Sequence, residues 1–401
     1  MFFTLTVPVI EPGQMEANFP EDVAPYAVCC CHSGVGERKT MRFERGKPDG
    51  GKASGADRTP SFSNTVPREL VHRRAISEVF MTDIHRLGDG RYLAAAQWPR
   101  LHPFFLSGGG AYDTALIAES LRQATILVAH AMEGVPLGQV FLMPDMAVQS
   151  MVGHSSDPGT PAEVQVLIDA SVPRRNAHGP GALQVKARFD VGGRTIATGT
   201  AGARLMDPGS YARMRLRAGA DGPSPQTEPL PPGLVGHRFS HNVVLGHEGP
   251  GGSWPLHVDG SNPTFFDHPL DHVPGLLMVE AVRQALRVRM GNPCLDFQAF
   301  EAVFGKMVEL TDHAAVTLQD ITRHGQDVGQ ASAAITVDGT VCVELDCRFA
   351  VSPPSGLRQN PLHECSGAQR PGTQAVWRRE PSQARGSTTY PRSASGHQHG
   401  G

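Results

Sequence analysis

Two segments of the chain place a carboxylate, a guanidinium and an amide within one helical turn of each other. The first is Glu119-Ser-Leu-Arg122-Gln123-Ala and the second is Glu280-Ala-Val-Arg283-Gln284-Ala. Residues three and four apart are neighbours on a helix surface. The residues around both motifs are largely apolar, and a carboxylate there is costly to bury unless it is paired or protonated. Its pKa rises by desolvation or falls beside a cation. Just upstream of the second motif runs Phe265-Phe-Asp267-His268-Pro-Leu-Asp271-His272-Val-Pro274-Gly275. A histidine and a carboxylate facing each other across a substrate tunnel make an acid–base pair. His268 and Glu280 are therefore the first candidates for catalysis, with Glu119 beside them. The plainer alternatives are an ion pair between Glu280 and Arg283, a surface role for His268, and loop caps for Asp271 and His272.

Arg283 and Arg122 are candidate phosphate ligands, and Gln284, Gln123 and Gly275 are candidate substrate contacts around them. The first copy has Ser107 where the second has His268, so it is expected to lack an equivalent pair and to line the other side of the channel. Its Gly108-Gly-Gly110 run reads either as a backbone phosphate cradle or as a plain loop. His85, His130, His154, His247 and His313 have no metal-ligand spacing. No metal and no cofactor is expected.

The elements that must position these residues occur twice. Phe104 and Phe105 recur as Phe265 and Phe266, an offset of 161, and Glu119 recurs as Glu280 at the same offset. A constant offset across two motifs marks an internal repeat. Upstream, His72-Arg73 echoes His237-Arg238 at a slightly longer offset. Each copy opens with a short strand or two and the Phe-Phe segment. A helix follows, about Asp113 to Met132 or Pro274 to Met290, with apolar residues around most of its circumference, which marks it as buried. Four strand-like runs come next. In copy one they are 140–148, 162–172, 182–189 and 195–205; in copy two they are 297–304, 314–321, 330–337 and 341–349. Asp190-Val-Gly-Gly193 and Asp338-Gly339 read as hairpin turns. A long buried helix wrapped by an antiparallel sheet is the hotdog arrangement. The fold expected is α+β, a tandem (double) hotdog. The segments expected are an irregular stretch 1–68, a first hotdog domain 69–218, a linker 219–233, a second hotdog domain 234–351 and a disordered tail 352–401. Met41 is a second candidate start.

Composition narrows the class. The 401 residues carry a formal net charge of −3, with no basic excess of the kind that nucleic-acid binding calls for. No apolar run reaches the length of a membrane span, and the opening Met1–Ile10 lacks the basic start of a signal peptide. Seven cysteines without a C-x-x-C pair suit reduced thiols in a cytoplasm. The triplet Cys29-Cys-Cys31 reads as incidental composition, with a metal or redox role as the alternative.

The stretch Val71-His-Arg-Arg, Glu78-Val-Phe-Met-Thr-Asp83, Gln97-Trp-Pro-Arg100 and His102-Pro-Phe104, with Glu119-x-x-Arg122-Gln123, resembles the A-factor biosynthesis hotdog family. These are bacterial gamma-butyrolactone autoregulator synthases. The second copy, from Phe265 to Gln284, is similar to that family's second domain, so the resemblance spans about 71 to 349. The second copy also looks like the hotdog dehydratases of fatty-acid synthesis. It departs from them at Asp267, where they have Gly, and in a shorter loop from His268 to Pro274.

The resemblance implies transfer of a beta-ketoacyl group from an acyl carrier protein thioester to dihydroxyacetone phosphate. It makes Glu280 the general base, His268 its partner and the helix start near Pro274 the oxyanion site. The alternatives left open are a 3-hydroxyacyl-thioester dehydratase, a thioesterase, and a non-catalytic acyl-binding or regulatory protein, since fold alone does not fix function.

Overall fold

The structure, a computed structural model, describes residues 28–30, 59–105, 112–151, 160–176, 179–216, 225–325 and 328–351. Most of the expected tails, residues 217–218 and linker residues 219–224, Ser107 and Gly108–Gly110 lie outside the described residues. Within the stretch expected to be irregular, Val28–Cys30 (β1) pairs with a strand of the first copy.

The first copy runs through β2 (Met81–Gly88), β3 (Arg91–Trp98), α1 (Thr114–Leu127), β4 (Val140–Met143), β5 (Asp145–Ser150), β6 (Ala162–Asn176), β7 (Gly179–Val191), β8 (Arg194–Met206) and α2 (Pro208–Arg215). The second runs through β9 (Ser253–Pro255), α3 (Gly275–Met290), β10 (Leu295–Phe304), β11 (Ala314–His324), β12 (Val328–Val337) and β13 (Thr340–Val351). The sheet order is β2-β3-β6-β7-β8-β5-β10-β13-β12-β11-β9, antiparallel throughout. The two halves of that order mirror each other. They meet where the first long strand after each helix pairs with its counterpart, Ala147 opposite Glu301. Phe104 likewise packs edge-on against its own counterpart Phe265, with ring centroids 4.7 Å apart. A pseudo-twofold axis therefore relates the copies, and the structure is a double hotdog.

Each helix packs against the apolar side of its half-sheet. Every residue of α1 is buried, and α3 is buried from Leu277 to Arg287. α1 starts at Asp113, whose side chain accepts from Ala115 N at 2.8 Å. It does not continue regularly to Met132: residues Val128–Met132 form a π turn closed by Glu133 N donating to Val128 O. The expected strand 140–148 is broken at Pro144, which has no N–H for the ladder, into β4 and β5. The two-residue turns Gly192-Gly193 and Asp338-Gly339 have positive φ at both positions, as a tight hairpin with right-handed twist requires. Helix α2, with Pro208 at its start and the Asp207 side chain accepting from Ser210 N, has no counterpart in the sequence reading.

The entry to each copy is a short 3₁₀ turn, Arg68–Val71 or Pro232–Val235. Each ends in a left-handed residue, His72 (φ 53°) or Gly236 (φ 76°). Structural equivalence is therefore one residue out from the sequence echo, so that Arg73 stands where His237 stands. A Cβ on Gly236 would sit 2.3 Å from Pro293 O. We expect Gly236→Ala to cost about 1–3 kcal/mol from backbone strain alone. The open Gly233→Ala should stay within about 0.5 kcal/mol of wild type. Denaturant midpoints of the two variants check this, and equal midpoints would remove Gly236 from the positioning of His237.

Candidate active site

In the first copy, Glu119 is 1% exposed at the centre of α1. Arg122 grips it with two parallel bonds of 2.8 Å, Nε to Oε2 and Nη2 to Oε1. Arg73 Nη2 reaches Oε1 at 2.6 Å, and Gln123 Nε2 donates to the same oxygen at 2.7 Å. Burial pushes the Glu119 carboxyl up, but the two guanidiniums outweigh it and hold the pKa down to about 2. Arg73 Nη1 also donates to Thr264 O of the second copy, so the cluster bridges the pseudo-twofold.

In the second copy, Glu280 has the same setting. His237 Nε2 lies 2.8 Å from its Oε1, Arg283 Nε donates to Oε2 at 2.7 Å and Gln284 Nε2 donates to Oε1 at 2.9 Å. Burial raises the Glu280 carboxyl; Arg283 and His237 outweigh it and leave it well below the usual carboxylate range. Arg283 also meets Asp113 at 2.6 Å and Asp296 at 2.9 Å. These three carboxylates raise its pKa against the effect of burial. Gln123 and Gln284 face the backbone as much as the glutamates: each accepts from a strand-entry N–H, Phe80 or Val244, and donates to Glu78 O or Asn242 O.

One cavity collects the remaining candidates. It holds roughly 680 Å³ of unfilled space, counting its mouth. His268, Pro274 and Gly275 of the second copy and Glu119, Arg122, Arg73 and His72 of the first line it. The rest of its wall is apolar and includes Met143, Met146, Leu276, Val279 and Phe304. His268 is 10% exposed, its Nδ1 is 3.5 Å from Asp267 Oδ2, and neither ring nitrogen makes a hydrogen bond among the described residues. Asp267 in turn accepts from Arg74 N and, at 2.8 Å, from Ala75 N of the first copy. Burial raises Asp267, but these donors together with His268 and Arg73 bring it to about 2. No side chain caps α3 at Pro274, and Pro274, Gly275 and Leu276 at its start line the cavity. The loop that carries His268 towards α3 is pinned from the first copy. Tyr211 donates to Asp271, and Arg215 pairs with Asp271 at 3.0 Å and Glu309 at 2.6 Å.

The structure thus brings His268 together with Glu119, Arg122 and Gly275, not with Glu280. Glu280, Arg283, Gln123 and Gln284 lie outside the lining of this cavity. The reason is the pseudo-twofold: a loop from one copy meets the helix of the other. The equivalent place on the far side of the axis is occupied by Asp113, which stands where Pro274 stands and locks onto Arg283.

Three contributors escaped the sequence reading. Asp267 is visible there only as a departure from a dehydratase pattern. Arg73 is found once the 3₁₀ turns are superposed. His72 Nε2 lies 2.8 Å from His130 Nε2, a contact across 58 residues that no spacing indicates.

Residues 55–207 and 219–292 match the A-factor biosynthesis hotdog domain. The chain belongs to the A-factor biosynthesis hotdog family. Among its relatives, a 2-oxo-3-(phosphooxy)propyl 3-oxoalkanoate synthase of Streptomyces virginiae is 39% identical over 225 residues, 56% of this chain and 76% of that protein. A synthase of the same name from Streptomyces coelicolor is 38% identical over 235 residues, 58% of this chain and 75% of that one. Among solved structures, the 12:0-ACP thioesterase from Umbellularia californica is similar at 9% identity and TM-score 0.41, covering 66% of this chain and 99% of that one; so loose a likeness carries no weight. No helix among the described residues is long and apolar enough to cross a membrane.

The two glutamates of this family member lead to separate expectations. Glu280→Gln leaves buried Arg283 and Arg287 under-compensated. It should cost about 3–5 kcal/mol of stability while molecules that remain folded keep turnover, as activity per folded molecule at low temperature will show. Full stability with abolished turnover would restore Glu280 to the chemistry. Glu119 has a folded-state pKa of about 2 against an ordinary 4.5. Its ion pairs stabilise the fold fully above pH 4.5 and lose that contribution as pH falls through 2. Glu119→Gln should flatten the decline of the denaturation midpoint over that window; an unchanged slope would mean that Glu119 is not held ionised.

Proposed function

We propose that the chain is an acyltransferase of gamma-butyrolactone signal biosynthesis. It moves a beta-ketoacyl group from an acyl carrier protein thioester to the hydroxyl of dihydroxyacetone phosphate, giving the 2-oxo-3-(phosphooxy)propyl 3-oxoalkanoate for which its relatives are named. The observation that carries this reading is the convergence of His268 Nε2, the uncapped start of α3 and an apolar cavity. The acyl group is placed against apolar Met143, Met146, Val279 and Phe304.

His268 is the general base. Its Nε2 takes the proton of the acceptor hydroxyl as the oxygen attacks the thioester carbonyl. The N–H groups of the first turn of α3 stabilise the oxyanion. When the tetrahedral intermediate collapses, the carbon–sulfur bond breaks and the departing thiolate recovers the proton from His268. Asp267 orients the ring through Nδ1. Glu119 is not an acid in this scheme, because two guanidiniums keep it ionised. That argues against a hydroxyacyl dehydratase, which needs a carboxyl able to give up a proton. Its part is to hold Arg122 and Arg73 at the cavity wall. This chemistry belongs in the cytoplasm, and the free thiols of Cys342 and Cys347 suit a reducing compartment.

Mass spectrometry of products from a beta-ketoacyl carrier thioester and dihydroxyacetone phosphate tests the reading. The phosphorylated ester should form, and His268→Gln should slow it by about 10²–10⁴-fold with the fold intact. Free beta-keto acid as the sole product would replace the transferase with a thioesterase. Undiminished ester from His268→Gln would remove the base.

A further inference from the structure

His268 borders a second cavity. This outer space, roughly 700 Å³ counting its mouth, is lined by Arg74, Val258, Gly260, Phe266, Asp267, Pro269 and Leu310, and it shares only His268 and Leu270 with the inner one. A hydrolase needs one channel for its acyl group and a water. A transferase must also seat an organic acceptor on the other side of its base. We propose, resting on the acyltransferase reading, that this outer cavity is the acceptor site, with Arg74 holding the phosphate and His268 meeting the hydroxyl.

The inner cavity is poorly suited to a phosphate. Its wall is mostly apolar, and its guanidiniums, Arg73 and Arg122, both pair with ionised Glu119. Arg283 is sealed among Glu280, Asp113 and Asp296. Arg74 differs from all three. It is exposed, and its guanidinium forms no hydrogen bond or ion pair among the described residues. Its backbone is nevertheless fixed, because Arg74 N donates to Asp267 and Arg74 O accepts from Arg68 Nη1 at 2.6 Å.

One carboxylate, that of Asp267, thus separates the Arg74 backbone from the His268 ring. Arg74 and His268 on one cavity offer a short acceptor a cation for a phosphate at one end and a base for a hydroxyl at the other. The phosphate of a pantetheine arm, by contrast, lies the whole length of the arm from the thioester.

Two measurements test the assignment, one with and one without turnover. In steady state, Arg74→Ala should raise KM for dihydroxyacetone phosphate by about 10–100-fold, the worth of a charged hydrogen-bonded contact. It should leave KM for the thioester and the slow rate with unphosphorylated dihydroxyacetone unchanged, and Arg74→Lys should recover part of the loss. By calorimetry, with no thioester present, dihydroxyacetone phosphate should bind wild type and lose a similar factor in Arg74→Ala. Equal losses with both acceptors, an effect seen only with carrier-borne thioesters and not with short phosphate-free ones, or unchanged KM and binding would each overturn the outer site. Arg74-dependent binding without ester formation would keep the site and discard the acyltransferase reading. Ester formation indifferent to Arg74 would do the reverse.

Discussion

A carboxylate in the middle of a buried helix governs the architecture. Glu119 and Glu280 have almost no contact with water, and an isolated ionised carboxylate cannot remain so. Each therefore needs charged or hydrogen-bonding partners, and neither helix alone supplies enough. Arg122 and Arg283 come from the following turn, but Arg73 and His237 come from the 3₁₀ turns that open each copy. That requirement fixes where the chain must enter each half. The glutamine four residues on completes the joint by bonding both the carboxylate and the backbone of the entering strand. The charged groups that look catalytic in the sequence thus also form the frame on which the His268 loop hangs.

The two ends of the pseudo-twofold arrangement differ chemically although they share this frame. At one end Pro274 leaves the start of α3 uncapped, and His268 arrives with its ring nitrogen unengaged. At the other end Asp113 caps α1 and forms an ion pair with Arg283 across the axis. A carboxylate that satisfies the helix start and the facing arginine leaves no place for an oxyanion. The divergence between the sites rests on what precedes each helix, not on the duplicated motif itself.

Much of this was legible beforehand. The offset of 161, the two buried helices, the strand runs and the hairpin turns follow from periodicity and turn chemistry, and family motifs tied them to a double hotdog. What could not be read was which copy's loop faces which copy's helix. Sequence order puts His268 beside Glu280, whereas the axis through β5 and β10 puts it on the cavity with Glu119. Nor does spacing distinguish a poised carboxylate from one clamped by two guanidiniums, because Arg73 lies 46 residues from Glu119. The break at Pro144 was open to inspection. The π turn after α1 left no local signal.

The β5–β10 seam lies within one polypeptide, and this changes how the molecule can be altered by mutation. In an assembly of two identical hotdogs, every codon is read out on both sides of the axis. An aspartate that closes one pocket would close its twin, and a histidine gained by one would be gained by both. Joining the halves in a single reading frame removes that obligation. Asp113 and His268 can then coexist, one side closed by an ion pair while the other keeps a histidine on an open cavity.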